Sequence, residues 1–195
     1  MNIRGALILV LTALASCATQ MPAHHGRGGS RIFFDETTGS TLSVVDKPLI
    51  FARNRSDVAA FARDYATLVA LEVDLSGRDS EYLLLYRWST VDPRMSPPPG
   101  PNEGELHLFA DGRLIDFRPL PELPISLSRR RLLQVPDHGD VIAYAYRVDL
   151  DTLRFIARSR DLRLRMPQEP LDLPFKLWAD ARGALAQFAG PSGTP

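Results

Sequence analysis

Hydrophobic and polar residues alternate along much of the chain. Over residues 65–75 (YATLVALEVDL), Thr67, Val69, Leu71, Val73 and Leu75 share one side, and Ala66, Leu68, Ala70, Glu72 and Asp74 share the other. A period of two is the signature of a half-buried strand, whose side chains point alternately to opposite faces. Ser76-Gly77-Arg78-Asp79 supplies turn residues and 81–90 (EYLLLYRWST) a second strand, so the two segments predict a long antiparallel hairpin. Segments 106–110 and 113–117 flank Asp111-Gly112. That dipeptide favours a two-residue hairpin loop, because glycine accepts positive φ without a Cβ penalty. Further strands are predicted at 31–34, 41–45, 49–53, 132–135, 140–148, 162–166, 175–179 and 184–188. Short strands punctuated by turns predict a mainly-β fold: an antiparallel β-sandwich or partly open barrel with one or two short helices.

The helical period is confined to two places. Residues 151–159 (DTLRFIARS) place Leu153, Ile156 and Ala157 on one face, with Asp151 as the expected N-cap. Residues 56–65 (SDVAAFARDY) predict a second short helix capped by Ser56, with Ala59, Ala60 and Ala62 inside it. Five prolines within 92–104 exclude a sheet interior, since proline has no amide hydrogen to donate, and predict a surface loop.

Composition narrows the class without naming a function. The chain has 195 residues, 45% of them hydrophobic, and a single Cys, which suits one soluble domain and excludes a disulfide-stapled mini-protein. Basic and acidic residues balance at 23 each, so no net field favours nucleic acid, and none is expected as a partner. The basic residues are arginines apart from Lys47 and Lys176.

The N-terminus carries the most specific motif. A short start containing Arg4 precedes the apolar run 5–14, which is shorter than the about 20 residues a spanning helix needs and matches a secretory h-region. Leu14-Ala15-Ser16-Cys17 follows directly. This tetrapeptide resembles the lipobox of bacterial lipoproteins, and Cys17 is the only cysteine in the chain. The resemblance implies cleavage by signal peptidase II after Ser16 and lipidation (palmitate and related chains) of Cys17. More than one acyl chain then gives stable membrane anchoring. Ala18 in place of an aspartate implies sorting to the outer membrane, facing the periplasm. Accordingly, 1–16 is the signal peptide and 17–30 a lipid anchor with a polar, Gly-rich tether. Residues 31–189 form the domain and 190–195 a frayed tail.

Candidate chemistry in the body is diffuse. Met21, His24 and His25 could meet a soft metal, but neighbours on a flexible segment supply too few fixed ligands, so no metal or other cofactor is expected. His107 alternates with Leu106 and Leu108 and points away from them, and His138 sits in a Pro-Asp-His-Gly-Asp turn. No G-x-S-x-G elbow is present, and a triad from a dispersed Ser with His138 and Asp140 has nothing local to indicate it. The close carboxylates Asp35-Glu36 and Glu103/Glu105 lie at turns, where charges are ordinarily solvated, and Gly26-Arg27-Gly28-Gly29 lacks the strand-to-helix context of a phosphate loop.

Two surface patterns remain. Arg129, Arg130 and Arg131 open a predicted strand, and in 162–165 arginines alternate with leucines so that Arg163 and Arg165 share a face. Converging guanidinia would suit an acidic ligand, whereas separate ones are merely a solvated face. Tyr82, Tyr86 and Trp88 share a strand face that could stack sugar rings, but Leu83 and Leu85 opposite them favour a strand buried on both sides. The sequence thus points to a membrane-anchored envelope module that binds an envelope protein or a cell-wall component without catalysis. The alternatives are a hydrolase of envelope glycans or esters and a carrier of a hydrophobic ligand.

Overall fold

The structure, a computed structural model, describes residues 27–92, 104–128, 132, 142–167 and 173–190. Its strands are β1 (Ser30–Asp35), β2 (Ser40–Val45), β3 (Leu49–Asn54), β4 (Arg63–Leu75), β5 (Arg78–Ser89), β6 (Leu106–Ala110), β7 (Arg113–Phe117), β8 (Ile142–Arg147), β9 (Leu162–Arg165) and β10 (Phe175–Ala179). The helices are the single turn α1 (Ile125–Ser128), α2 (Leu150–Arg158) and α3 (Arg182–Ala189). All strand pairs are antiparallel and belong to one ten-stranded sheet, so the mainly-β reading holds.

The long hairpin β4–β5 is the spine. Its turn is tighter than the sequence suggests: only Ser76 (φ 56°) and Gly77 (φ 77°) form it, in the left-handed region that two-residue hairpins require, while Arg78 and Asp79 already pair in β5. The other edge of β4 is shared. β3 pairs with its first half (Leu49 opposite Leu68 to Asn54 opposite Arg63), and β2 with its second (Val44 opposite Leu71 to Thr41 opposite Asp74). From β3 the order continues β10-β9-β6-β7, and from β5 it continues to β8. The two ends approach each other without strand pairing. Leu120 donates a backbone hydrogen bond to Ala145 at 2.8 Å, and the rings of Phe117 and Tyr146 lie 5.8 Å apart. The result is a partly open barrel.

Following the register, Phe51, Leu68, Leu85, Leu108, Leu164 and Phe175 share the inner face and are all buried. Each end of this core is finished differently. At one end α2 and α3 pack together and contribute Leu153, Ile156, Leu185 and Phe188 to the buried cluster. At the other, Asp64 accepts from Arg53 (2.8 and 3.0 Å), Arg55 (3.3 Å) and Ser89 (2.7 Å), with Arg53 also stacked on Phe175 at 4.4 Å. Asp57 completes the group. The Arg55 guanidinium hydrogen-bonds its carboxylate and holds it below the usual range.

The outer face is covered over β2, β4 and β5, where Val44, Val69, Leu71 and Leu84 are buried although they point away from the barrel interior. Leu132 lies there: the Tyr86 hydroxyl shares a hydrogen bond with its backbone, and Arg31 donates to its carbonyl at 3.4 Å. Burial raises the Tyr86 phenol. β5 is therefore buried on both sides around residues 83–86, as its leucines indicated.

Several expectations are corrected. Residues 56–65 form no helix: Val58 and Ala59 both donate to the Arg55 carbonyl in a single turn, and strand pairing resumes at Arg63. Three alanines cannot sustain a helix against a β3–β4 register that already claims Arg63 to Leu68. Residues 184–188 are not a strand but belong to α3, where Leu185, Phe188 and Ala189 make the buried face at helical spacing. The N-cap of α2 is Asp149, not Asp151: the Asp149 carboxylate accepts from the Thr152 amide at 2.6 Å, and this bond holds its carboxyl below the usual range. Predicted strand 140–148 is realised as Ile142–Arg147, and 133–135 of strand 132–135 lie outside the described residues. Of the Gly-rich stretch 17–30, the end is anchored. Arg27 is buried, hydrogen-bonds Glu72 and Glu81, and lies over the Phe188 ring. Glu72 and Glu81 are cross-strand partners, so one guanidinium neutralises two facing carboxylates. Burial raises the Glu72 carboxyl, with Arg27 opposing the shift.

Candidate functional site: an aromatic and cationic strip

The uncovered part of the outer face holds the most distinctive surface. Register carries a single row across five strands: Trp88 on β5, Tyr65 on β4, Ala52 on β3, Lys176 on β10 and Arg163 on β9 are successive partners. At about 4.8 Å per strand the row spans on the order of 19 Å. Tyr65 and Trp88 stack with ring centroids 3.9 Å apart and planes 8° from parallel. The Trp88 indole N–H reaches the Thr67 hydroxyl at 3.4 Å.

Trp178 joins this pair from two strands away. The β3–β10 register shifts between Leu177 and Ala179, so Trp178 sits in an irregularity of the ladder, the kind of feature that re-aims a side chain. Its ring meets Tyr65 edge-on, at 6.3 Å and 85°. The intervening β3 residue opposite Tyr65 is Ala52, whose methyl group leaves room for the two rings to reach across the strand. Arg63 stacks on Trp178 at 4.5 Å while its Nε donates to the Asn54 amide oxygen at 3.1 Å. Trp178 remains 57% exposed and Lys176 is exposed. None of the outward positions 50, 52, 54, 63, 65, 67, 88 and 176 is acidic. Phe61, 88% exposed, lies two residues before Arg63.

These contacts fix the rings before any ligand arrives. Aromatic pairs and cation–π contacts each contribute about 0.5–1.5 kcal/mol, so the array is held by its own contacts. A rigid, half-exposed aromatic surface beside cations can stack a flat apolar face and pair with an anion.

The sequence-derived candidates distribute as follows. Arg163 and Arg165 are exposed on the outer face, and Arg163 pairs with Asp161 at 2.8 Å. Arg129, Arg130 and Arg131 lie outside the described residues, as do Cys17, Met21, His24, His25, Glu103, His138 and Asp140. His107 faces away from Leu106 and Leu108, 3.5 Å from Asp116. Asp35 accepts from Thr37 and Thr38 in its own turn. Of Tyr82, Tyr86 and Trp88, only Trp88 belongs to the strip. No local pattern marks Tyr65, Trp178, Arg63 and Lys176 as a group, because their partners lie on other strands. The usable signal was that Tyr65 shares a face with Thr67 and pairs with the segment holding Trp88. Among the described residues no group of three His, Cys, Asp or Glu side chains could hold a metal ion. Compared with protein-family models, curated proteins and solved structures, the chain matches none.

Proposed function

We propose that this chain is a lipid-anchored module of the bacterial envelope. Cys17 carries the lipid in the outer membrane, and the sheet domain docks another envelope component in the periplasm through its aromatic and cationic strip. One observation carries the docking half: Trp178, Tyr65 and Trp88 form a pre-ordered array that stays partly open to solvent beside Arg63 and Lys176. Large exposed aromatics grouped on one face mark contact surfaces, whereas scattered ones do not. The anchoring half rests on Leu14-Ala15-Ser16-Cys17.

Two measurements test it. Intact-mass analysis of the protein extracted from membranes is expected to give a chain starting at Cys17 with diacylglycerol and a third acyl group, and Cys17→Ser is expected to abolish both lipid and membrane association. Crosslinking in whole cells is expected to give an adduct that Trp178→Ala removes. A bare thiol with a cytosolic product overturns the anchor. An adduct pattern unchanged by Trp178→Ala overturns the docking face.

A further inference from the structure

We infer that the strip is a saccharide-binding site for an acidic glycan strand, the carboxylate-bearing polymer of the cell wall. This rests on the docking reading above and specifies its ligand. Three features select this chemistry. The surface is a straight row along the register line, not a pit, so it fits an extended chain. The rings offer flat apolar surfaces, and the C–H faces of pyranose rings stack on such surfaces while their hydroxyls stay in water. Cations flank the rings: Arg63 against Trp178 on one side, Lys176 and then Arg163 further along the row, where Asp161 pairs with Arg163. A polymer alternating apolar ring faces with carboxylates meets both groups in turn, and a neutral glycan meets only the first.

Placement agrees. Arg27, the first described residue, is clamped to Glu72 near the far end of β4. Tyr65 lies about 23 Å back along the same strand, at ~3.3 Å per residue. The strip is therefore displaced from Arg27, the described residue nearest in sequence to Cys17, which suits a ligand other than an anchoring bilayer.

The test uses the full mature chain in detergent micelles and two soluble probes of equal length. One is a glycan strand released from purified cell wall by an amidase, which retains its lactyl carboxylates; the other is a neutral N-acetylglucosamine oligomer. Tryptophan fluorescence titration is expected to show saturable binding of the acidic strand. Trp178→Ala and Tyr65→Phe/Trp178→Ala are expected to weaken it about tenfold or more. Lys176→Gln is expected to weaken the acidic strand while leaving the neutral oligomer unchanged, a split that a folding defect would not produce. Circular dichroism melts of each variant matching the parent exclude misfolding as the cause. The inference is overturned if the acidic strand fails to bind, if the variants bind like the parent, or if anionic phospholipid vesicles bind and the glycan does not. Failure here leaves the crosslinked adduct and the lipidated Cys17 standing, so it is distinguishable from failure of the broader reading.

Discussion

Replacing Asp64 by alanine probes the polar closure of the barrel most directly. Its carboxylate accepts two hydrogen bonds from Arg53, one from Arg55 and one from Ser89. The side chains of Arg53 and Arg55 are only 7% and 6% exposed, so water cannot take over the role of the lost anion. Removing one partner of a buried ion pair costs about 3–5 kcal/mol, since the remaining charge keeps its desolvation penalty. Asp57 still pairs with Arg55, which places the loss toward the lower end of that range. Against a total of about 5–15 kcal/mol for a typical domain, this is a large fraction. Urea unfolding followed by tryptophan fluorescence reads it out. With a slope of about 2 kcal/mol per molar, the midpoint is expected to fall by about 1.5–2 M with the slope unchanged. Asp57→Ala, at the exposed rim, is expected to shift it much less. A shift for Asp64→Ala below about 0.5 M would show that this group contributes little, and the account of how that end is closed would be wrong.

Other outcomes follow from the same fold. Arg27→Gln leaves the facing Glu72 and Glu81 without their shared cation. Burial already raises the Glu72 carboxyl, so its contribution favours the fold at low pH and is lost as pH rises through the raised value. The variant is expected to fall further behind the parent as pH increases from 4 to 7, read by urea midpoints across about that range. Asp149→Ala removes the α2 cap and is expected to cost about 1 kcal/mol at neutral pH. Because the Asp149 carboxyl is held below its usual range, that stabilisation is present above about pH 4 and disappears as pH falls through the depressed value, so the two proteins should converge in acid. Gly104→Ala puts a Cβ 2.7 Å from the Tyr144 ring at a φ of +137°. The same residue accepts the Tyr146 hydroxyl at 2.7 Å. A loss of about 1–3 kcal/mol in thermal or urea denaturation is expected.

Much of the sheet is legible from the alternation because burial dictates it. The strand of 65–75 and the hairpin at Asp111-Gly112 are local patterns, and local patterns survive into the fold. The 184–188 segment shows the limit. ALAQF fits a period of two over five residues, and only the addition of Arg182 and Ala189 lets Leu185, Phe188 and Ala189 declare a helical face. The 56–65 segment failed for the opposite reason: its propensity is helical, but pairing between β3 and β4 outweighs it. The candidate site was the least legible part. Tyr65, Trp88 and Trp178 become neighbours only through a strand order that no local window contains, and an irregularity in β10 turns Trp178 toward them.

β10 also bears on how the chain reaches its native state. β1 to β5 can pair among themselves, and so can β6, β7 and β9, but the link between the two groups runs through β10, where Lys176 meets both Ala52 and Arg163, with β8 alone reaching β5 from the other side. β10 is the last strand in sequence order among the described residues. Until it arrives, β3 and β9 present unsatisfied backbone edges, a template for pairing with other chains. Loss of β10 should therefore yield aggregates instead of a smaller folded domain, and a chaperone that shields those edges during synthesis would have to cover β3 until β10 is made.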